Sequence, residues 1–359
     1  MYKLSGLRIL FSAMLMVLKL YLWFETNQAN DSIREICRYE TTAKGRRLVI
    51  KKVFIDGRSG TTGLRIYERL ESRTDVELIT LSDEDRRNVG KRQWALNHSD
   101  ISFLCLPDDA ARESVSLIDN PNVMVIDTST AHRTQPYWAY GFPELSDHHR
   151  NKIIKSKRIA SPGCHAGGFI ALVYPLIEAG ILKKSAELTC VSLTGYSGGG
   201  KGMIEDYEVT QVSPFLNAPR AYALGQVHKH LPEMRILSGM DKDPIFSPVV
   251  ADFYSGMLVM VSIFPSMLTA GYQLDDIRKV YKNKYTGPVV QYMPTMDVNG
   301  FISAGILSGK DSMHISAYGN DDRIMLTALY DNLGKGASGA ALQCMNIAMG
   351  VDETLGLDL

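Results

Sequence analysis

A single cysteine, Cys164, stands in S-P-G-C-H-A-G-G-F (Ser161–Phe169), between a Pro-Gly turn and a run of helical character. A thiol just ahead of a helix meets unpaired N–H groups and the positive end of the helix dipole, and both favour the thiolate. Gly163, Ala166, Gly167 and Gly168 are small enough to let a substrate approach the sulfur. The same cysteine could equally serve as a small buried hydrophobe, and nothing local decides between the two. A second chemical stretch is Q-V-H-K-H-L-P-E-M. In an extended chain His228 and His230 would share one face, and Glu233 could orient or charge an imidazole, which is the equipment of general acid/base catalysis. H-x-H followed by Glu also suits a metal, but no third ligand stands at local spacing, so no metal is expected. The third is a glycine loop, D-G-R-S-G-T-T-G, with Gly57, Gly60 and Gly63 around Ser59, Thr61 and Thr62. Glycines permit a tight turn and close approach of backbone to a pyrophosphate seated on the following helix N-terminus.

The elements that must hold these groups follow a clear rhythm. L-V-I-K-K-V-F-I reads as a buried strand that feeds the glycine loop, and L-R-I-Y-E-R-L-E after it reads as a helix. Short apolar strands are predicted at 76–81, 101–106 and 123–127, with helical segments at 88–96 and 109–118 between them. Strand alternating with helix means a doubly wound parallel sheet. The second strand of such a sheet selects the cofactor. It ends T-L-S-D-E-D-R-R, where acids would favour NAD and Ser82 with Arg86 and Arg87 would hold the 2′-phosphate of NADP; the NADP alternative is preferred.

Beyond Cys164 the pattern changes. A helix over 167–179 and a strand over 188–194 lead to the loop G-Y-S-G-G-G-K-G. β-type runs follow at 245–253, 256–264, 313–318 and 323–330, with one clear helix among them, 274–284. That suits a second, α+β domain with a mixed, largely antiparallel sheet. A small-residue-rich helix over 335–349 could return to the first domain. The predicted division is residues 48–162 with 331–359 as the nucleotide-binding domain, and 163–330 as the catalytic and oligomerisation domain.

Composition narrows the classes. The chain of 359 residues is long enough for two domains, and Lys plus Arg balances Asp plus Glu at 39 each, which argues against nucleic acid or an acidic surface as partner. The five cysteines, Cys37, Cys105, Cys164, Cys190 and Cys344, are odd in number, widely spaced and free of any C-x-x-C pair, so a reducing, cytoplasmic setting is expected. Residues 1–47 stand apart. Their apolar run, 9–18, is broken by Lys19, too short for a comfortable membrane span, and followed by no cleavage-site pattern. They are read as a dispensable extension, with a membrane or targeting segment as the alternative.

Taken in order, V-F-I-D-G-R-S-G-T-T-G-L-R-I, F-L-C-L-P-D-D-A-A, I-D-T-S-T-A-H-R-T, W-A-Y-G-F-P-E-L, S-P-G-C-H-A-G-G-F, G-Y-S-G-G-G-K, H-K-H-L-P-E-M and D-N-L-G-K-G-A-S-G-A-A-L-Q resemble N-acetyl-gamma-glutamyl-phosphate reductases of the shorter sequence type, from about Val49 to the C-terminus. The resemblance implies a Rossmann-type domain joined to a second domain, as in glyceraldehyde-phosphate and aspartate-semialdehyde dehydrogenases, with NADPH as hydride donor and a homo-oligomeric state. It implies a nucleophile at Cys164, which would expel phosphate from an acyl phosphate and leave a thioester for reduction to the aldehyde. It places the histidine motif on His228, His230 and Glu233, and Asn332 near the nicotinamide. His230 is favoured as acid/base with Glu233 as its orienter, and Arg112, Arg133 and Lys201 are candidates for the substrate's carboxylate or phosphate. Two positions depart from the family pattern, Ser161 where Asn is expected and Gly167 where Thr is expected. Rival functions are an aspartate- or carrier-linked semialdehyde dehydrogenase, a thiol hydrolase that would leave the glycine loop idle, and an NADP-binding sensor with no use for Cys164 beside its histidines.

Overall fold

The computed structural model describes residues 50–209 and 213–359. The expectations for residues 1–47 and Cys37 therefore lie outside the described residues. The first sheet has six strands, β1 (Lys51–Asp56), β2 (Val76–Ile79), β3 (Ile101–Leu104), β4 (Met124–Asp127), β5 (Ala139–Tyr140) and β6 (Arg158–Ala160). They run parallel in the order β2-β1-β3-β4-β6-β5. Helices α1 (Thr61–Glu71), α2 (Val89–His98), α3 (Asp108–Ser116) and α4 (Asp147–Lys155) cover it. Both faces of β1 are buried, Val53 and Ile55 into one layer and Phe54 into the other, which is why that strand reads as a continuous apolar run rather than an alternating one. β5, β6 and α4 have no counterpart among the predicted elements. Two- and three-residue strands carry too little periodicity to register.

The second sheet is mixed, in the order β11-β12-β13-β10-β7-β9-β8. Its strands are β7 (Thr189–Gly195), β8 (Arg220–Ala221), β9 (Ile245–Ala251), β10 (Met257–Ile263), β11 (Val290–Tyr292), β12 (Met313–Asn320) and β13 (Arg323–Tyr330). The pairs β7–β9 and β11–β12 are parallel and the other four antiparallel. Helix α5 (Cys164–Glu178) lies on this sheet, apolar nearly all round and buried along most of its length. The predicted helix starts three residues late because the glycines and Cys164 give no helical pattern. α6 (Gly200–Glu208) and α7 (Leu231–Ser238) are short helices in a stretch where only α8 (Leu274–Lys284) shows a periodic face. The chain then passes through a π-turn, Gly334–Ser338, into α9 (Gly339–Met349). Ala341, Leu342, Met345 and Ile347 of α9 pack with Val53, Ile66 and Ile126 of the first sheet layer.

Candidate active site

Where the two sheets meet, a cavity of about 620 Å³ opens between the C-terminal ends of β1 and β3 and the start of α5. Its walls bring together Gly60, Thr61, Cys164, His228, Lys229, His230 and Asn332, residues from across the chain. It sits at the point where the strand order reverses, the usual ligand crevice of a parallel sheet.

Cys164 is the first residue of α5, and no side chain caps that helix. Gly163 ahead of it is packed from three sides. A Cβ there would lie 2.3 Å from Arg133 Nη1, 2.6 Å from His230 Nε2 and 2.8 Å from Glu233 Oε2, so only glycine fits. The N–H of Gly163 donates to Glu233 Oε1 at 2.8 Å. Tyr330 locks the first turn from below, its hydroxyl donating to the Cys164 carbonyl and accepting from the Gly168 N–H. The thiol is not depressed in this setting. Burial pushes Cys164 up from its ordinary value, outweighing the nearby Arg133 guanidinium and the N–H of His165. The helix start therefore does not by itself make a thiolate, because the sulfur is more desolvated than a position at a helix mouth suggests.

His230 is buried, 5% exposed, and its ring forms no hydrogen bond among the described residues; Nδ1 is without a partner. Burial, then Arg133, drives it well below the ordinary histidine range, so the imidazole is neutral. His230 is not extended but caps α7 in helical conformation, with the His228 and His230 rings 4.7 Å apart and edge-on. The His230 backbone N–H donates to His228 Nδ1 at 3.1 Å, which leaves the ring proton of a neutral His228 on Nε2. Glu233 does not orient an imidazole. It accepts from Arg133 Nη1 at 3.0 Å, from the Tyr140 hydroxyl at 2.8 Å and from Gly163, and so holds the turn before Cys164 instead.

The glycine loop meets the geometric demands of a nucleotide. Gly57 has φ +89°, and a Cβ there would fall 2.2 Å from the Cys105 carbonyl; one at Gly63 would fall 2.4 Å from the Gly57 carbonyl. α1 begins at Thr61 with no side chain capping its N–H groups, which leaves them for an anion. A second cavity, about 480 Å³, flanks the loop and is lined by Gly57, Arg58, Ser59, Asp83, Arg86 and Arg87. Arg92 lines it too but is spent on Asp56 and Glu113, and the other three guanidinium groups, Arg58, Arg86 and Arg87, fit a nucleotide that carries a 2′-phosphate. Arg58, stacked over the Tyr67 ring at 4.5 Å, was hidden inside the glycine motif. Ser82 is absent from that lining; its Oγ accepts from the Asp85 N–H and starts a helical turn. Asn332 faces the first cavity, but its amide is engaged in the fold, accepting from Gly256 N–H at 2.9 Å and donating to Ser197 Oγ at 3.0 Å.

The cationic candidates are redistributed. Arg133, chosen for its loop position, is buried and spends its guanidinium on Glu233 and on the carbonyls of Ser161 and Thr128. Arg112 is exposed, outside the cavity lining and paired with Asp109. Lys201 is exposed on α6 and also outside that lining. Two cations line the cavity, Arg133 and Lys229; with Arg133 spent on the fold, Lys229, between the two histidines, is the one turned to a substrate, and the H-x-H pattern concealed it. Of the two departures, Ser161 is buried with its backbone on Asp127 and Arg133, and Gly167 has room, since a Cβ would meet only Pro162 at 3.6 Å. The four described cysteines are free, and among the described residues no three His, Cys, Asp or Glu side chains gather as a metal requires.

A nucleotide-type parallel sheet, a second mixed sheet and a cysteine facing histidines across their junction define a protein of the semialdehyde dehydrogenase class. The family model for the semialdehyde dehydrogenase NAD binding domain matches residues 52–153, and the one for the semialdehyde dehydrogenase dimerisation domain matches residues 164–332. Solved aspartate semialdehyde dehydrogenase II from Vibrio cholerae superposes with TM-score 0.62 at 15% identity, covering 84% of this chain and 98% of that one. A probable aspartate-semialdehyde dehydrogenase from Pseudomonas aeruginosa gives 0.64 at 14%, with the same coverage of each chain. The N-acetyl-gamma-glutamyl-phosphate reductase of Sinorhizobium medicae is 43% identical over 305 residues, 83% of this chain and 98% of its own. The protein named N-acetyl-gamma-glutamyl-phosphate reductase 2 from a Nostoc strain is 41% identical over 322 residues, 85% and 99% of the two chains. The chain belongs to the N-acetyl-gamma-glutamyl-phosphate reductase family.

Proposed function

We propose that the chain reduces N-acetylglutamyl phosphate to N-acetylglutamate semialdehyde and phosphate, a step of arginine biosynthesis, through a thioester on Cys164. The observation that carries this reading is the neutral, unpartnered His230 beside the turn that presents Cys164. His230 takes the thiol proton as Sγ bonds to the acyl carbon and the C–O bond to phosphate breaks. NADPH, when bound, supplies the hydride that converts the thioester to the aldehyde. When the carbon–sulfur bond then breaks, His230 returns its proton to the departing sulfur. His228 donates from Nε2, and Lys229 meets an anionic group of the substrate. Gly57, Ser59, Gly60, Thr61 and Gly63 hold the pyrophosphate, and Arg58, Arg86 and Arg87 the 2′-phosphate. Glu233 and Arg133 act through Gly163 rather than on substrate, and Asn332 ties the loops that line the nicotinamide end.

Residues 48–162 with 331–359 form the nucleotide-binding unit in this reading, and 163–330 the catalytic and oligomerisation unit. Residues 1–47 are dispensable. Among the described residues no helix is long and apolar enough to cross a membrane. The free thiols support a cytoplasmic setting, and the dimerisation-domain match over residues 164–332 supports a homo-oligomer. Phosphate-dependent NADP reduction should proceed with N-acetylglutamate semialdehyde, fall to trace with the unacetylated and aspartyl analogues, and vanish in Cys164→Ala. Preference for the aspartyl analogue would reassign the substrate, and activity surviving in Cys164→Ala would remove the thioester.

A further inference from the structure

Directly behind Cys164 lies a chain of three polar side chains with no place in the chemistry so far: Ser192, His165 and Tyr222. His165 Nδ1 stands 2.7 Å from Ser192 Oγ and His165 Nε2 stands 2.7 Å from the Tyr222 hydroxyl. His165 and Ser192 are buried, Ser192 at 0% exposed on the face of β7 that packs under α5. Ser192 is absent from the cavity lining, whereas Tyr222 lines it with Cys164, His165, His228 and His230. Three hydrogens serve two contacts, so the direction of the chain can be worked out by accounting for donors.

The Ser192 hydroxyl has no partner but His165 Nδ1 among the described residues. If Nδ1 carried the ring proton, it would donate to Ser192 and leave a buried O–H with no acceptor, a desolvation penalty native structures avoid. The opposite arrangement leaves nothing unpaired. Ser192 donates to Nδ1, the ring proton sits on Nε2, and Nε2–H donates to the Tyr222 oxygen. The Tyr222 hydroxyl hydrogen is then released from the protein and turned to the cavity. Burial, followed by His228, holds His165 down to about 3, so the ring stays neutral and the direction does not reverse in the working pH range.

We propose that Ser192 and His165 are positioning residues that fix Tyr222 as a hydrogen-bond donor to a carbonyl-type oxygen of the acyl substrate. The identity of that substrate rests on the reductase function argued above; the direction of the chain does not. Two oxygens of such a substrate share this chemistry, the acetamido oxygen and the oxygen of the reacting carbonyl.

The test combines a spectroscopic and a kinetic reading on the full chain. In ¹⁵N-histidine-labelled protein, the ring whose signals move in both Tyr222→Phe and Ser192→Ala should carry its proton on Nε2 in the unaltered chain. A proton on Nδ1 would reverse the chain and overturn the proposal. With N-acetylglutamate semialdehyde, Tyr222→Phe should lose about tenfold in kcat/KM, as removal of one neutral hydrogen bond predicts, with melting temperature unchanged. A loss carried in KM identifies the acetamido oxygen, and a loss carried in kcat the reacting one; both support the donor. Ser192→Ala, which frees the ring to take either tautomer, should lose about threefold in the same parameter. Unchanged kcat/KM in Tyr222→Phe would contradict the proposal. Failure of the unaltered protein to turn over the acetylated semialdehyde would instead remove the reductase function, and the histidine tautomer, read on protein alone, separates the two failures.

Discussion

At Cys164 two local forces compete, the helix start that favours a thiolate and the burial that opposes it, and burial wins. The neighbouring His230 is held neutral by the same burial and by Arg133, so the free protein holds a thiol beside an imidazole rather than an ion pair. Iodoacetamide reacts with the thiolate alone. Alkylation of Cys164, followed by peptide mass spectrometry, should therefore be slow near neutral pH and rise through the alkaline range. A plateau from about pH 6 to 8 would mean a preformed thiolate–imidazolium pair and would contradict this arrangement. That Cys164 and both histidines belong in one cavity was legible because their residue types are rare and chemically loaded. The use that Arg133 and Glu233 make of each other was not. Their pairing spans 100 positions, and only the folded chain shows that each is spent on the other.

Among the elements, the unit β1–glycine loop–α1 could be read in order because local pattern and fold agree there: an apolar strand, three glycines, a periodic helix. The histidine motif could not. Its two-residue spacing suggests a strand, yet Pro232 at the start of the eight-residue α7 and the bond from His230 N–H to His228 make it a helix cap. α5 carries a testable contrast. Gly167 has space for a methyl group while Gly168 would drive one to 2.5 Å from the Tyr330 hydroxyl. Gly167→Ala should raise stability by about 0.5–1 kcal/mol through its helix preference. Gly168→Ala should lower it by about 1–3 kcal/mol through overpacking, and equal melting temperatures for the two variants would refute the packing described for α5. On the nucleotide side, replacing Arg86 and Arg87 by Ala should raise KM for NADPH by about a hundredfold, the worth of two charged hydrogen bonds. KM for NADH should hardly move. Equal effects on both nucleotides would make these arginines surface charges.

Across the whole molecule, the return of α9 to the first sheet layer was legible as a possibility from its small apolar residues, whereas the sheet partners of β5 and β6 were not, being too short to leave a pattern. Burial of histidines also gives the molecule a pH signature. His165 is held down to about 3 and His149 to about 4, each mainly by burial, against an ordinary 6.5. The unfolded chain binds these protons first as pH falls, so their contribution is complete above 6.5 and is lost progressively toward 4 and below. The melting temperature should fall over that window, and a flat profile from about pH 7 to 4.5 would mean that these rings protonate freely in the folded state. The central claim is the thioester, and it can be trapped by withholding the reductant. Mixed with N-acetylglutamyl phosphate in the absence of NADPH, the protein should release one phosphate per active site and gain the mass of one N-acetylglutamyl group on the Cys164 peptide. Adding NADPH should then discharge that group as the semialdehyde. Full turnover with NADPH, but neither phosphate burst nor adduct without it, would contradict the covalent route.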